Sequence, residues 1–264
     1  MLGRRGKRRN SPLRGSDTLR FFFPAALRSS AQPQGIFFTG HRCARPRISA
    51  RGLLPAVALK VLLVRHAEHA LAGRALAGRL PGVGLNERGR EQARALGEAL
   101  AASREPPTAL YSSPQPRTRE TAQALAARLG LPVELAPAFD EIDFGEWTGR
   151  SFEELRAQDA DRWACWCDQR SRATPPGGEP FAQVAERAHA GLEQLARRHP
   201  SQVVAVVSHA DVIKALIAMQ LGLSLDALER LEIGCASVSA VEMGLDASGA
   251  PWSRVLALNA SGWP

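Results

Sequence analysis

Apolar residues recur along this chain with two alternating periods. Residues 59–64 form a short β-rich apolar run that ends abruptly in Arg65-His66, the profile of a buried parallel strand whose end meets a catalytic edge. Residues 87–103 change period: Ala, Leu and Gln recur at helical spacing behind Asn86, whose side chain can cap the first turn. The alternation then repeats. Residues 109–112 are predicted as a strand and residues 116–129 as a helix that starts on Pro116 and closes at Gly130. Residues 203–208, with the core VVAVV, make the most strand-like run in the chain, and residues 211–221 follow as a helix. Residues 236–243 and 253–258 supply the last strands. Strands alternating with helices predict an α/β fold, a three-layer α/β/α arrangement with a mostly parallel central sheet covered on both faces.

Between these units, residues 144–180 are irregular and rich in tryptophan, ending in the turn signal PPGGEP (175–180) before a helix that runs to about Arg198. This stretch is expected to be a lid-like insertion in which Trp147, Trp163 and Trp166 wall the substrate site with apolar rings.

Residues 1–56 break with both periods. They hold twelve basic residues against a single acid, Asp17, and are interrupted by Pro24, Pro33, Pro46 and Pro55. Such a segment buries too little apolar surface to offset its ordering entropy, so a disordered extension is expected. It has the composition of an organellar targeting leader, but a mis-assigned upstream start is the favoured reading. Met219 is the next methionine after Met1, so a start near Val57 would need another initiation codon.

The formal charge of +8 belongs almost wholly to that extension, because residues 57–264 carry 22 basic against 25 acidic residues, a net of −3. A mildly acidic domain over 57–264 is not a polyanion binder, which excludes nucleic acid as its partner. Cys43, Cys165, Cys167 and Cys235 show no paired framework and read as reduced thiols of a cytoplasmic protein; Cys165 and Cys167, without a nearby histidine, make a poor metal site. No apolar run approaches the ~20 residues that span a bilayer, so no membrane partner is expected.

Two predicted strand ends deliver a histidine, His66 and His209, and ligands of such sheets bind at the carboxyl ends of the strands. With 31 arginines and six histidines an Arg-His pair by itself means little, and a second pair, Arg198-His199, sits at a helix end where a solvated basic terminus explains it. What distinguishes Arg65-His66 is the segment Ser112-Ser113-Pro114-Gln115-Pro116-Arg117, also at a strand-to-helix junction. An arginine fork at a helix N-terminus supplies the bidentate donors and the dipole that a phosphoryl dianion needs. His41, His69 and His189 have no such context and are expected to face solvent.

These pieces resemble the histidine phosphatase superfamily, of which cofactor-dependent phosphoglycerate mutase is the best-known member. Arg65-His66 with Glu68 resembles the family's R-H-G-E signature, and 85–90 its L-x-x-x-G-x segment. Residues 112–122 resemble S-S-P-x-x-R-x-x-x-T-A, residues 141–149 are similar to the E-x-x-F-G-x-W-x-G block of the phosphatase branch, and Ser208-His209 is similar to S-H-G. They occur in family order over about 57–260.

The resemblance implies that His66 is the nucleophile that becomes phosphohistidine, that Arg65, Arg117 and His209 grip the phosphoryl oxygens, and that Glu141 is the general acid. It implies no metal and no cofactor, a small phosphomonoester as partner, and leaves a homodimer open. Phosphomonoester hydrolysis is the preferred activity; a mutase and an inactive phospho-ligand binding module are the alternatives. Sugar phosphates, phosphoglycerate, phosphoserine and nucleotide-like esters such as ribazole phosphate all remain candidate substrates.

Three positions depart from the pattern. Ala67 and Ala210 stand where the family has glycine, which matters if those positions need positive φ. The asparagine that helps bind phosphate in many relatives is replaced around Ala72, and Arg79 is expected to compensate as a substrate-binding residue.

Overall fold

The computed structural model describes residues 58–246 and 248–263. The readings of residues 1–56, including His41 and Cys43, fall outside them. Six strands form one sheet: β1 (Ala58–Arg65), β2 (Ala109–Ser112), β3 (Val133–Leu135), β4 (Val203–Ser208), β5 (Val238–Leu245) and β6 (Pro251–Ala260), in the order β3-β2-β4-β1-β5-β6. The first four in that order run parallel, while β5 is antiparallel to β1 and β6 to β5. The sheet is therefore mixed and mostly parallel, as the alternation of periods predicts.

Among the described residues six α-helices accompany it: α1 (Glu87–Ala101), α2 (Pro116–Leu129), α3 (Phe152–Gln158), α4 (Ala160–Asp168), α5 (Phe181–Arg198) and α6 (Ala210–Leu221). Side chains alternate across a strand, so neighbouring residues of β1 enter different layers. Leu59, Val61 and Leu63 join Val204 and Val206 of β4 in one core with the apolar faces of α5 and α6. Leu62 and Val64 join Ala205 and Val207 in a second core with Leu96 and Leu100 of α1 and Leu125 of α2. The central strands are thus covered on both sides, which is why they read as continuous apolar runs.

Local chemistry sets the helix ends. The Asn86 side chain accepts the Gly89 amide at 2.7 Å to start α1. Pro116 opens α2, and Gly130 closes it in the left-handed conformation at φ 68°, where a side chain would be strained.

Residues 144–180 are less irregular than expected, because they contain α3 and α4. Ser151 and Glu154 form a reciprocal capping box that starts α3, and Asp159 interrupts the two helices. Two of the three tryptophans also differ from expectation, while Trp163 is only partly buried. Trp147 and Trp166 are buried in the main core, with Trp166 edge-on to Phe144 at 5.5 Å, to Trp147 at 6.0 Å and to Phe181 at 5.7 Å. The Arg170 guanidinium lies 4.2 Å from the centre of the Trp166 ring. Rings of this size stabilise most when shut away from water, and here they anchor the insertion from inside instead of lining a substrate wall.

The insertion is tied to the segment after Asp140 by a backbone crossing. The Glu146 amide donates to Pro176 O at 2.9 Å and the Glu179 amide to Asp143 O at 2.8 Å. A Cβ at Gly178 would lie 2.4 Å from Asp143 O, so only glycine permits this approach. Gly178→Ala is expected to destabilise the protein by about 1–3 kcal/mol, the usual cost of overpacking, visible as a lower urea midpoint at unchanged slope.

Candidate active site

β1 and β4 are adjacent and parallel, with Arg65 paired to Ser208, so the residues that follow both strands emerge side by side. The His66 amide donates to Ser208 O at 2.9 Å, and the His66 and His209 rings stand 5.3 Å apart between centres. β2 lies on the other side of β4 with Ser112 paired to Val207, which delivers Ser113 and the first turn of α2 to the same sheet edge. Arg117, on that turn, is fully buried, and its Nη2 donates to Gly78 O at 2.9 Å and lies 3.2 Å from His209 Nδ1. Glu141 follows a single 3-10 turn, Pro137–Phe139, and its Oε2 lies 3.4 Å from Arg117 Nη2 and 3.3 Å from His209 Nδ1. Four of the predicted residues, His66, Arg117, Glu141 and His209, thereby converge. Arg65 joins them electrostatically while its Nη1 is anchored on Ile233 O at 2.6 Å.

The protonation of His66 follows from one contact. Its Nδ1 lies 2.9 Å from Ala67 O, and a carbonyl can only accept, so Nδ1 carries the proton and Nε2 keeps its lone pair. Burial, followed by the Arg117 and Arg65 charges, holds its pKa well below that of an ordinary imidazole. Around this neutral ring, Arg65 Nε, Arg117 Nε and Arg117 Nη1 are buried donors with no partner among the described residues, an arrangement suited to an anion.

Glu141 has the opposite perturbation. Burial pushes its carboxyl up to about 7, against the pull of Arg117. Its backbone is held as well as its side chain: Arg79 Nε at 2.9 Å and Arg187 Nη2 at 3.2 Å both donate to Glu141 O, and both guanidiniums pair with Glu179. A carboxylic acid able to give up its proton near neutrality thus stands beside a neutral imidazole and a cation.

The histidine phosphatase superfamily (branch 1) matches this chain over residues 61–249. The chain belongs to that superfamily. It is 35% identical over 188 residues to phosphoserine phosphatase 1 of Hydrogenobacter thermophilus, covering 70% of this chain and 87% of that protein. It is 31% identical over 182 residues to the adenosylcobalamin/alpha-ribazole phosphatase of Salmonella typhimurium, covering 68% and 89%. Among solved structures, mycobacterial glucosyl-3-phosphoglycerate phosphatase aligns with a TM-score of 0.68 at 28% identity, over 77% of this chain and 99% of that one. By homology the chain is a phosphatase of the superfamily.

The departures from the superfamily pattern now have a structural reading. Among the described residues, positive φ outside glycine occurs at Ser201, Ala236 and Asn259, so neither Ala67 nor Ala210 sits where a side chain is strained. Ala67 is buried, its amide donating to Thr121 Oγ1 at 3.0 Å, and alanine fits without backbone cost. Glu68 of the signature serves the scaffold: its Oε1 accepts from Asn86 Nδ2 at 3.0 Å and so braces the start of α1.

Arg79 reaches the site, but its Nε and Nη2 are engaged by Glu141 O and Glu179, with Asp140 Oδ2 3.4 Å from Nε.

His69 corrects the sequence reading. It is not solvent-facing but 5% exposed, with its ring 5.0 Å from that of His66 and its Nδ1 buried without a partner among the described residues. Burial and the Arg117 and Arg65 charges lower its pKa to about 4. Its spacing from His66 carried no signal, because a loop has no periodicity from which to read a buried face. His189 is half-buried, 3.8 Å from Glu193. The comparison pair behaves as a surface feature: Arg198 pairs with Glu134, and His199 Nε2 meets Tyr111 Oη at 2.8 Å.

Sequence reasoning gave no role to Arg187, Glu179, Ser113 or Asp140. Arg187 had a usable signal, a cation on the same helical face as the buried Val184, Ala188 and Gly191 of α5. The others lie in loops.

Proposed function

We propose that this chain is a metal-independent phosphomonoesterase that acts on a small phosphorylated metabolite through a phosphohistidine on His66. The observation that carries the reading is the neutral His66 with its lone pair at Nε2, flanked by buried arginine donors that have no partner among the described residues. In this reading Nε2 attacks phosphorus in line, the ester P–O bond breaks, and the leaving alkoxide takes its proton from Glu141. Arg65, Arg117 and His209 stabilise the charge spread over the equatorial oxygens. Water then attacks the N–P bond, the Glu141 carboxylate takes the proton of that water, and inorganic phosphate leaves.

Arg79 is assigned to the same apparatus. Because two of its nitrogens bind Glu141 O and Glu179, it acts mainly by orienting the acid. Arg79→Ala should lower kcat more than it raises KM, and a KM increase at unchanged kcat would return Arg79 to direct substrate binding.

The names of the similar proteins suggest the first substrates to try: phosphoserine, alpha-ribazole phosphate and glucosyl-3-phosphoglycerate. Purified protein incubated with these esters and with 3-phosphoglycerate should release inorganic phosphate. Isomerised phosphoglycerate without phosphate release would establish a mutase instead, and no turnover of any ester would leave a binding module.

The depressed pKa of His66 makes a second prediction. The nucleophile is active when deprotonated, so lowering its pKa widens the active range toward acid. Once the ester's own second ionisation is corrected for, kcat/KM should hold as pH falls through the ~6.5 of an ordinary imidazole. A fall centred on 6.5 would show that His66 titrates as if exposed.

A further inference from the structure

Behind His209, at the ring nitrogen opposite the one that faces the Glu141 carboxyl, lies a row of buried polar side chains that the phosphatase reading leaves unused. His209 Nε2 is 2.8 Å from Ser113 Oγ, and Ser113 Oγ donates to Asp140 Oδ1 at 2.9 Å. That oxygen also accepts Gln115 Nε2 at 2.9 Å and the Glu141 amide at 2.8 Å. Asp140 is therefore an acceptor on every side, and it claims the single hydrogen of the Ser113 hydroxyl. The hydroxyl oxygen can then only accept from His209, so the ring hydrogen sits on Nε2. His209 and Ser113 are fully buried, which leaves no solvent to offer a competing partner.

The consequence appears on the opposite edge of the ring. With the hydrogen on Nε2, a neutral His209 turns a lone pair at Nδ1 toward Arg117 Nη2 at 3.2 Å, which can donate to it. A phosphoryl oxygen also carries lone pairs, and the two repel unless a proton lies between them.

We propose that Ser113 and Asp140 are positioning residues that lock His209 as its Nε2–H tautomer, so that a phosphoryl dianion binds together with one proton taken up at His209 Nδ1. The proposal rests on the phosphatase reading only in placing the phosphoryl group beside His209. The proton balance is simple: the dianion and one solvent proton enter, and the ring becomes an imidazolium with hydrogens on both nitrogens. In the free protein, burial and then the charges of Arg117, His66, Arg187 and Arg65 keep His209 neutral. An arriving dianion reverses that field. Glu141, with Oε2 3.3 Å from Nδ1, and Asp140, acting through Ser113, are carboxyl groups that face the ring.

Two measurements on the full chain decide the matter. Nitrogen-15 spectra of the ligand-free wild type should show His209 protonated at Nε2 and bare at Nδ1; a hydrogen on Nδ1 overturns the proposal whatever the protein's activity. Calorimetric titration with tungstate, a tetrahedral dianion at pH 7.5, in buffers of different ionisation heat counts the protons. The wild type should take up at least one proton per tungstate bound. Ser113→Ala removes the lock, allowing a neutral ring to carry its hydrogen on Nδ1 and donate directly, so uptake should fall by about one proton. Unchanged uptake in Ser113→Ala, or none in the wild type, overturns the proposal. Failure of tungstate to bind would count against the phosphatase reading, and the wild-type spectrum would still decide the tautomer.

Discussion

Replacing His66 with asparagine is expected to remove turnover, by on the order of 10⁴-fold or more in kcat, while leaving the fold and anion binding in place. The size of the effect follows from what the ring supplies. Asparagine can still donate from its amide to Ala67 O, so the local backbone keeps its partner, but it offers phosphorus no nucleophilic lone pair. Arg65 and Arg117 remain, so inorganic phosphate should bind with an affinity within a few fold of the wild type. The wild type quenched during turnover should carry an acid-labile, base-stable phosphoryl group at position 66, and the variant none. Retention of most activity in His66→Asn, or a label on another side chain, would remove the mechanism at its first step.

Glu141→Gln is the second large effect. General acid catalysis contributes about 10²–10⁴-fold, so kcat on alkyl phosphates should fall within that range. An aryl ester such as p-nitrophenyl phosphate leaves without much help and should lose far less; equal losses on both esters would argue against Glu141 as the acid.

The pH dependence carries a definite sign. The carboxyl is pushed up to about 7 chiefly by burial and serves as an acid only while protonated, so kcat limited by leaving-group departure should decline as pH rises through about 7. That limb should vanish in Glu141→Gln. The same shift is linked to stability. A carboxyl whose folded pKa is raised contributes stability that is complete below its unfolded value of 4.5 and lost as pH rises through about 7. Relative to the glutamine variant, the wild type should therefore lose stability across that window, which denaturant melts at pH 4 and pH 8 would measure.

Much of this is legible in the amino-acid sequence. The apolar runs of β1 and β4 read as buried strands because both faces are covered, helices α1 and α2 read from Asn86, Pro116 and Gly130 at their ends, and α5 from the turn signal before it. β3 escaped notice because its three residues are too few to show a period. α3 and α4 were hidden because Asp159 divides them into short pieces. The Trp-rich insertion was misread for a different reason: aromatic content says that a segment is apolar, not which of its sides meets the core.

The site divides along the same line. Strand ends and a helix N-terminus named His66, Arg117 and His209, since those positions follow from local periodicity and from the rule that parallel strands present ligands at their carboxyl ends. Arg65 and Glu141 were named with them through the family motif. Tertiary structure alone decided which nitrogen of each histidine holds the hydrogen, because that depends on Ala67 O in one case and on Ser113 and Asp140, remote in sequence from His209, in the other. It alone brought His69 in beside His66 and set Arg79 and Arg187 on the Glu141 carbonyl. Residue identity states what a side chain can donate or accept; which of those capacities is spent within the protein and which is left for a ligand depends on neighbours that only folding brings within 3 Å.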